Sequence, residues 1–361
     1  MSAQPVLRSV VVGLASDHAW TMARGLAEAG APIVAIIEPD IARRKEARAK
    51  IGSVSEYSSL DEVPSTEHFD IALVTTDNVS KPAAIEWASR RGIAVYADKP
   101  LAASGAAAKA LEIVVAGAKK PIMVAFHTVF DGVHDEAKSL LQQGAIGRVH
   151  FVRGVAGHGG LKAANVSETF ASWLVDPQRG GGGTFIDQAV YLLNTFMDQL
   201  DSQVTEVTGI ASNFRGGDDI PDGVENISAA LLRFDNGAIG VVDTKWLQVG
   251  SSPIRLAYHG TSGTLTDFGG HWILQTKCEP ELPEGWTLES VGSGLRTYRR
   301  QTPASRGYVA ESLHLIGTIQ GSGQLHSALS VASAARVQHI VDAYYESVRS
   351  GAGVAVKLDD E

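Results

Sequence analysis

Residues 10–18 read Val10-Val11-Val12-Gly13-Leu14-Ala15-Ser16-Asp17-His18. Val6–Val12 contains an apolar stretch that ends at Gly13, and a segment of small and apolar residues, Ala19–Ala29, follows and stops near Gly30. A strand that turns through glycine into a helix is the unit that brings backbone close to a dinucleotide pyrophosphate. Of the G-x-G-x-x-G pattern only Gly13 is kept; Ala15 and His18 stand at the other two positions. Ala15 is small enough for close approach and Ser16 is polar, whereas His18 requires a different contact. Taken alone, the stretch is a weak signal that an ordinary strand-to-helix turn also satisfies.

The rhythm that begins there continues for about a third of the chain. Ile33–Ile37, Ile71–Thr75, Ile93–Ala97 and Pro121–Phe126 are further short apolar runs. Between them lie helical patterns at Ile41–Ile51, Lys81–Arg90 and about Ser104 to Ala118. Continuous apolar runs, not alternating ones, mark strands covered on both faces. Strand–helix alternation predicts a doubly wound parallel sheet, an α/β fold of Rossmann type, over residues 1–125.

After Phe126 the pattern changes. A helix is expected at Asp131–Gln143, a strand at Arg148–Gly157 and a helix at about Thr184–Met197, after the glycine run Gly180–Gly183. Strands are expected at Val204–Ser212, Glu225–Phe234, Ala238–Lys245, Ile254–His259, Gly263–Asp267 and His271–Gln275. Asp235-Asn236-Gly237 is a hairpin turn, because Asn-Gly tolerates positive φ. Residues 278–306, rich in Gly, Pro, Ser and charge, read as a long loop or an excursion at a dimer edge. A long helix at Leu325–Val348 and a last strand at Val354–Leu358 complete an α+β domain, 126–361, with a large, mostly antiparallel open sheet. The final helix is expected to pack back on the first domain.

Composition narrows the function classes. The chain has 361 residues, 44% hydrophobic and 20% charged, which suits two folded domains. A single cysteine, Cys278, excludes a disulfide framework and fits a reducing compartment. A net charge of −9 argues against nucleic-acid binding. No apolar run is long enough to span a bilayer, and Met1 to Arg8 lacks the features of a secretion signal, so a cytoplasmic protein is expected. The histidines show no zinc-ligand spacing, so no metal is expected. No G-x-S-x-G elbow is present, and no G-K-[ST] follows the glycine run.

Glu38 closes the second strand, where an acid accepts from ribose hydroxyls and repels a 2′-phosphate. That favours NAD. Arg43 and Arg44, a few residues on, are placed either to pair the phosphate of NADP or to form the exposed face of a helix.

More specific stretches lie downstream. They are Val95-Tyr96-Ala97-Asp98-Lys99-Pro100-Leu101-Ala102, Thr75-Thr76-Asp77-Asn78, and the run from Trp173 through Gly180-Gly181-Gly182-Gly183 and Asp187 to Tyr191. With the turns Arg233–Gly237 and Tyr258–Gly263, they resemble, in order and over nearly the whole chain, the glucose–fructose oxidoreductase / inositol dehydrogenase / MocA (Gfo/Idh/MocA) family. The family's Glu-Lys-Pro is Asp98-Lys99-Pro100 here. Its Pro-Asn loop on the nicotinamide side is similar to Thr75, Thr76 and Asn78. The histidine that follows is replaced by Lys81. On the helix after the glycines, Ala189 and Tyr191 replace glycine and histidine. The resemblance implies a Rossmann domain, a nicotinamide cofactor, and a second domain whose sheet often forms a homodimer or homotetramer.

Oxidising a secondary alcohol removes a hydride from carbon and a proton from oxygen, so the protein must supply a proton acceptor. Lys99 follows a parallel strand and projects from the carboxyl edge of the sheet, where ligands bind. Burial beside a cationic nicotinamide lowers a lysine's pKa, which suits a base. Asp187 and Tyr191 are four apart and share a face on a regular helix. By resemblance Tyr191 transfers the proton with Lys99 nearby, and Asp187 accepts from a substrate hydroxyl. His158, Lys162 and Trp173 are candidates to line a polyol pocket, and His127, after the fifth strand, is a candidate to approach the nicotinamide or the substrate. The expected activity is NAD(P)-dependent oxidation of a sugar, cyclitol or glycoside. Two alternatives stay open: a cofactor held tightly and recycled, and a non-catalytic dinucleotide-binding sensor or partner protein.

Overall fold

The computed structural model describes residues 6–214, 220–250, 255–305 and 307–357. Spatial clustering divides the chain into two compact units. One contains the described residues of 1–127 with 166–181 and 306–338; the other contains 128–165, 182–305 and 339–361.

The first unit is built on six parallel strands: β1 Ser9–Val12, β2 Ile33–Ile37, β3 Ser55–Tyr57, β4 Ile71–Val74, β5 Ala94–Ala97 and β6 Ile122–Val124. Their order is β3-β2-β1-β4-β5-β6, so the chain reverses its direction of travel between β1 and β4. In open α/β sheets the ligand crevice lies at that switch point, outside the carboxyl ends of the strands. β1, β4 and β5 are buried along their whole length, as continuous apolar runs require. Helices α1 His18–Glu28, α2 Ile41–Ile51, α3 Lys81–Arg90 and α4 Gly105–Val115 connect the strands. The α2 and α4 starts are capped by Asp40 and Ser104, whose side chains accept from Ala42 and Ala107.

β3 was not legible in sequence. It is a polar edge strand, half-exposed, with no apolar run to announce it. β1 starts later than the expected stretch does, at Ser9; before it, Arg8 N–H donates to the Asp70 side chain and Arg8 O accepts from Asp70 and Ile71 N–H. Three helices were also missed: the short Glu168–Leu174 and Pro177–Gly180, and the longer Gly307–Ile319.

The second unit carries ten strands: β7 Val149–Gly157, β8 Val204–Ser212, β9 Ile227–Phe234, β10 Ile239–Lys245, β11 Leu256–Gly260, β12 Gly263–Asp267, β13 His271–Thr276, β14 Trp286–Gly292, β15 Leu295–Gln301 and β16 Val354–Ala355. Their order is β14-β15-β13-β12-β11-β7-β10-β9-β8-β16. Every pairing is antiparallel except β7 with β10. Along β9, Ser228, Ala230, Leu232 and Phe234 are buried while Ala229, Leu231 and Arg233 face out. One face is therefore packed and the other open. The turn after β9 is the expected hairpin, with Gly237 at φ +85°.

Two expectations are corrected here. Residues 278–306 are not a long loop: they contain the β14–β15 hairpin, whose side chains are mostly half-exposed or exposed and so lack core patterning. The long C-terminal helix is Val331–Ser350, preceded by a short 3-10 turn at Ser327–Leu329. The expected strand limits at Ile254 and Leu358 lie outside the described residues.

Candidate active site

Gly13 ends β1 with φ +76°, a conformation that L side chains rarely adopt. A Cβ there would also overlap the Thr76 side chain. The loop is stitched to its neighbours through backbone. Gly13 N–H donates to Ile37 O at 2.8 Å, and Ala15 and Ser16 N–H both donate to Thr75 O at 3.1 Å. The Thr75 hydroxyl donates back to Gly13 O at 2.5 Å.

Glu38 is 6% exposed at the end of β2. Its Oε2 accepts from Leu14 N–H at 2.6 Å and its Oε1 from Asp40 N–H at 2.9 Å. A carboxylate offers about four lone-pair sites, so these two bonds leave capacity for ribose hydroxyls. The arginines nearby are engaged. Arg43 is buried, not on an exposed helix face: it donates to Leu14 O at 2.8 and 2.5 Å and to Glu46, over the Trp20 ring. Arg44 donates to the carbonyls of Glu38 and Pro39 and pairs with Glu56. This donor and acceptor set fits a dinucleotide with free ribose hydroxyls. Glu38 and the Gly13–Ser16 loop are the residues that would hold such a group.

At the end of β5, Asp98 and Lys99 are 3% and 5% exposed. The Lys99–Pro100 peptide is cis. His18 Nδ1 lies 3.0 and 3.1 Å from the two Asp98 oxygens. Burial opposes the charge on Asp98, but His18, Lys81 and Lys99 outweigh it and hold the carboxyl well below its ordinary range. Lys81, the first residue of α3, is also buried; its Nζ donates to Pro100 O at 2.7 Å and to Asn78 Oδ1 at 3.0 Å. Burial brings its ammonium down to about 8; Asp98 and Asp77 oppose the shift and Lys99 adds to it.

The Val166–Gly181 segment folds onto this loop system. Ser167 donates to Asp17 through N–H and hydroxyl at 2.7 and 2.8 Å. Trp173 Nε1 donates to Ala15 O at 2.9 Å, Asn78 Nδ2 donates to Gly180 O at 2.8 Å, and Arg179 holds Asp77 at 2.7 and 2.8 Å. Trp173, expected against substrate, is thus buried with the nucleotide-type loop and stacks on Phe170. His127 stands edge-on to Tyr308, which is tilted beside His18.

In the second unit, Asp187 is 7% exposed on a π-helical turn, Phe185–Ala189, that precedes the regular helix Val190–Leu200. The four-residue spacing to half-buried Tyr191 therefore does not follow simple α-helical geometry. Asp187 Oδ2 accepts from Trp246 Nε1 at 3.1 Å and from Gln188 Nε2 at 2.6 Å. His158 is tilted against the same Trp246 at 6.4 Å, so this indole brings Asp187 and His158 to one place. Lys162 lies in the turn after His158 and is exposed. Behind the glycine run, the Glu225 carboxylate accepts from Gly183 N–H at 3.0 Å, Phe185 N–H at 2.9 Å and the Tyr345 hydroxyl at 2.8 Å. Burial raises the Glu225 pKa against these donors.

Sequence reasoning missed His18 as the partner of Asp98, and also Lys81, Arg179, Glu225 and Trp246. For His18 and Lys81 a signal existed: each stands where the family pattern has another residue. The other three are visible only through long-range contacts. Among the described residues, no group of three or more His, Cys, Asp or Glu is placed to hold a metal ion.

A six-stranded sheet with this order, an acid closing β2 and a buried lysine closing β5 define a dinucleotide-binding domain of Rossmann type. Residues 7–126 match the oxidoreductase family with an NAD-binding Rossmann fold, Gfo/Idh/MocA, and residues 134–266 match the GFO/IDH/MocA C-terminal domain. Together these spans cover well over half of the chain, and the protein belongs to that family. It is 34% identical over 150 residues to inositol 2-dehydrogenase 4 of Saccharopolyspora erythraea, covering 39% of this chain and 43% of that one. The chain thus spans less than half the length of that relative. It is 23% identical over 350 residues to D-apiose dehydrogenase of Rhizobium rhizogenes, covering 94% and 93%. The structure of levoglucosan dehydrogenase in complex with NADH and levoglucosan superposes with a TM-score of 0.79 at 19% identity, over 97% of this chain and 99% of that one. That likeness shows the fold.

Proposed function

We propose that this protein is an NAD-dependent dehydrogenase that oxidises a secondary alcohol of a sugar, cyclitol or glycoside. The observation that carries the reading is Lys99, buried at the carboxyl end of β5 among Asp98 and Lys81. The names of the relatives, an inositol and an apiose dehydrogenase, support the substrate class. The dinucleotide, when bound, supplies the hydride acceptor. Lys99 and Tyr191 carry the hydroxyl proton, and Asp187 positions the substrate through the oxygen that Trp246 and Gln188 also hold. His158, beside Trp246, and His127 contribute to substrate contact. Trp173 acts on the cofactor side, by fixing the Ala15 carbonyl.

NAD is favoured over NADP on two grounds. Glu38 accepts from only two backbone N–H groups and so keeps lone pairs for hydroxyls, and Arg43 and Arg44 are already engaged by protein acceptors. A homodimer or homotetramer accords with the open sheet face, where Leu231 and Ile239 are exposed. A cytoplasmic location accords with the free Cys278. Among the described residues no helix is long and apolar enough to cross a membrane.

The test is incubation with NAD and a panel including myo-inositol, D-apiose and levoglucosan, followed by the near-ultraviolet absorbance of reduced nicotinamide. Turnover that is lost in Lys99→Ala, with dinucleotide binding kept, supports the assignment. Full activity in Lys99→Ala removes Lys99 from the mechanism. Silence across the panel, with dinucleotide released only on denaturation, would replace it by a recycled cofactor.

A further inference from the structure

The edge strand β3 carries one carboxylate, Glu56, and it pairs with two arginines of α2. Glu56 lies opposite Ile36 in the parallel register, and the next residue, Tyr57, accepts from Glu38 N–H through its carbonyl at 2.9 Å. Edge strand and ribose-end acid are thus tied together by backbone. Glu56 Oε1 lies 2.9 Å from Arg48 Nε, and its Oε2 lies 3.5 Å from Arg44 Nε. These arginines are four apart, on one face of α2. Arg44 reaches the end of β2 itself: it donates to the carbonyl of Glu38 and to that of Pro39 at 3.1 Å. Those two carbonyls bond the guanidinium without neutralising it; Glu56 brings the opposite charge. Glu62 also feels Arg44, but its two oxygens are taken by the Ser58 N–H, at 2.7 Å, and the Ser58 hydroxyl.

We propose that Glu56 helps to set cofactor specificity: by pairing with Arg44 it withholds the cation that a 2′-phosphate would need at the adenosine end. An arginine near the end of β2 is the usual partner of that phosphate, and a guanidinium matches phosphate geometry. Arg44 has the right chemistry, and its bond to Glu38 O puts it at the right residue. Discrimination then has two parts. Glu38 repels the 2′-phosphate, and Glu56 competes with it for Arg44. Specificity is a difference of affinities, and an occupied partner counts against the wrong ligand as a clash does. The inference rests on reading Glu38 as the acceptor for ribose hydroxyls. Glu46 supplies the comparison on the same helix. It pairs with Arg43 at 2.6 Å and Lys50 at 2.8 Å, while Arg43 is held by Leu14 O.

The test is binding, without substrate: the full-length protein and its variants are titrated with NADPH and NADH by fluorescence at fixed salt. Glu38→Ala/Glu56→Gln should bind NADPH about tenfold tighter than Glu38→Ala does, the worth of one charge-assisted bond. Adding Arg44→Gln should remove that gain. Glu38→Ala/Glu46→Gln deletes the same charge elsewhere on α2 and should change NADPH affinity by no more than about twofold. Equal NADPH affinity in Glu38→Ala and Glu38→Ala/Glu56→Gln overturns the proposal. So does a gain that survives Arg44→Gln, or an equal gain from Glu46→Gln. Should Glu38→Ala/Glu56→Gln fail to fold, Glu56→Gln alone decides: NADPH tightened about threefold with NADH unchanged supports the pairing role, and no change in NADPH overturns it. The ribose reading fails by a different result. NADH binding unchanged in Glu38→Ala removes Glu38 as the acceptor, while the effect of Glu56→Gln on NADPH is still read.

Discussion

His18 Nδ1 lies 3.0 Å from Oδ2 of Asp98, joining the start of α1 to the residue before Lys99 across 80 positions of sequence. The two residues are both departures from the family pattern, and they answer each other. The carboxyl is held below its ordinary range in the folded protein, so its charged form is favoured by folding. The stabilisation is complete above the unfolded aspartate range, about pH 4, and is lost as pH falls below it. His18→Ala should destabilise the protein by about 1–3 kcal/mol, reduced from the full cost of a broken buried pair because His18 is partly exposed. Asp98→Asn should flatten the fall of stability below about pH 4, read from urea midpoints across the acid range.

Glu38 is expected to decide the adenosine end of the cofactor. Glu38→Ala removes the acceptor for ribose hydroxyls and should weaken NADH binding roughly tenfold, the worth of one charge-assisted bond. It should not by itself create strong NADPH binding, because Arg43 and Arg44 stay engaged by carbonyls and carboxylates. Parallel fluorescence titrations with NADH and NADPH check both halves.

Glu225 is expected to matter for the turn that carries Asp187. Its two oxygens face three donors, Gly183 N–H, Phe185 N–H and the Tyr345 hydroxyl. Glu225→Gln turns an amide donor toward that donor set and should cost about 1–3 kcal/mol. Because burial raises the wild-type pKa, the charged form opposes folding. Wild-type stability should therefore fall as pH rises from about 4.5 through the raised pKa, and Glu225→Gln should lack that fall. Thermal melts at several pH values measure it.

Tyr191→Phe and Asp187→Asn separate proton transfer from positioning. Tyr191→Phe should lower kcat by about 10²-fold with NADH binding intact. Asp187→Asn keeps an acceptor for Trp246 Nε1 yet loses the charge, and should raise KM more than it lowers kcat. Steady-state kinetics on whichever panel substrate responds distinguishes the two.

The Rossmann half was legible because its signal is local. Ile33–Ile37, Ile41–Ile51 and Lys81–Arg90 fold over the same residues that periodicity assigns them. β3 was not legible, since a three-residue edge strand buries too little to leave a pattern. The β14–β15 hairpin escaped for a related reason: its side chains are mostly half-exposed or exposed, so alternation has nothing to sort. Among site residues, Lys99 and Asp98 were read from a short contiguous stretch. Arg43 was misplaced because a basic residue on a basic helix gives no hint that it bends back to Leu14 O.

The amino-acid order by itself determined the strand–helix alternation, the glycine turn at Gly13 and the acid at the end of β2. Each is a property of a few neighbouring residues and their burial. Tertiary structure alone decided which groups answer one another: His18 with Asp98, Lys81 with Pro100 O, Trp246 with Asp187, Glu225 with the glycine turn. Those pairings depend on strand order and on loops that return over tens of residues. A polar side chain chooses its partner only once burial has removed water as the alternative.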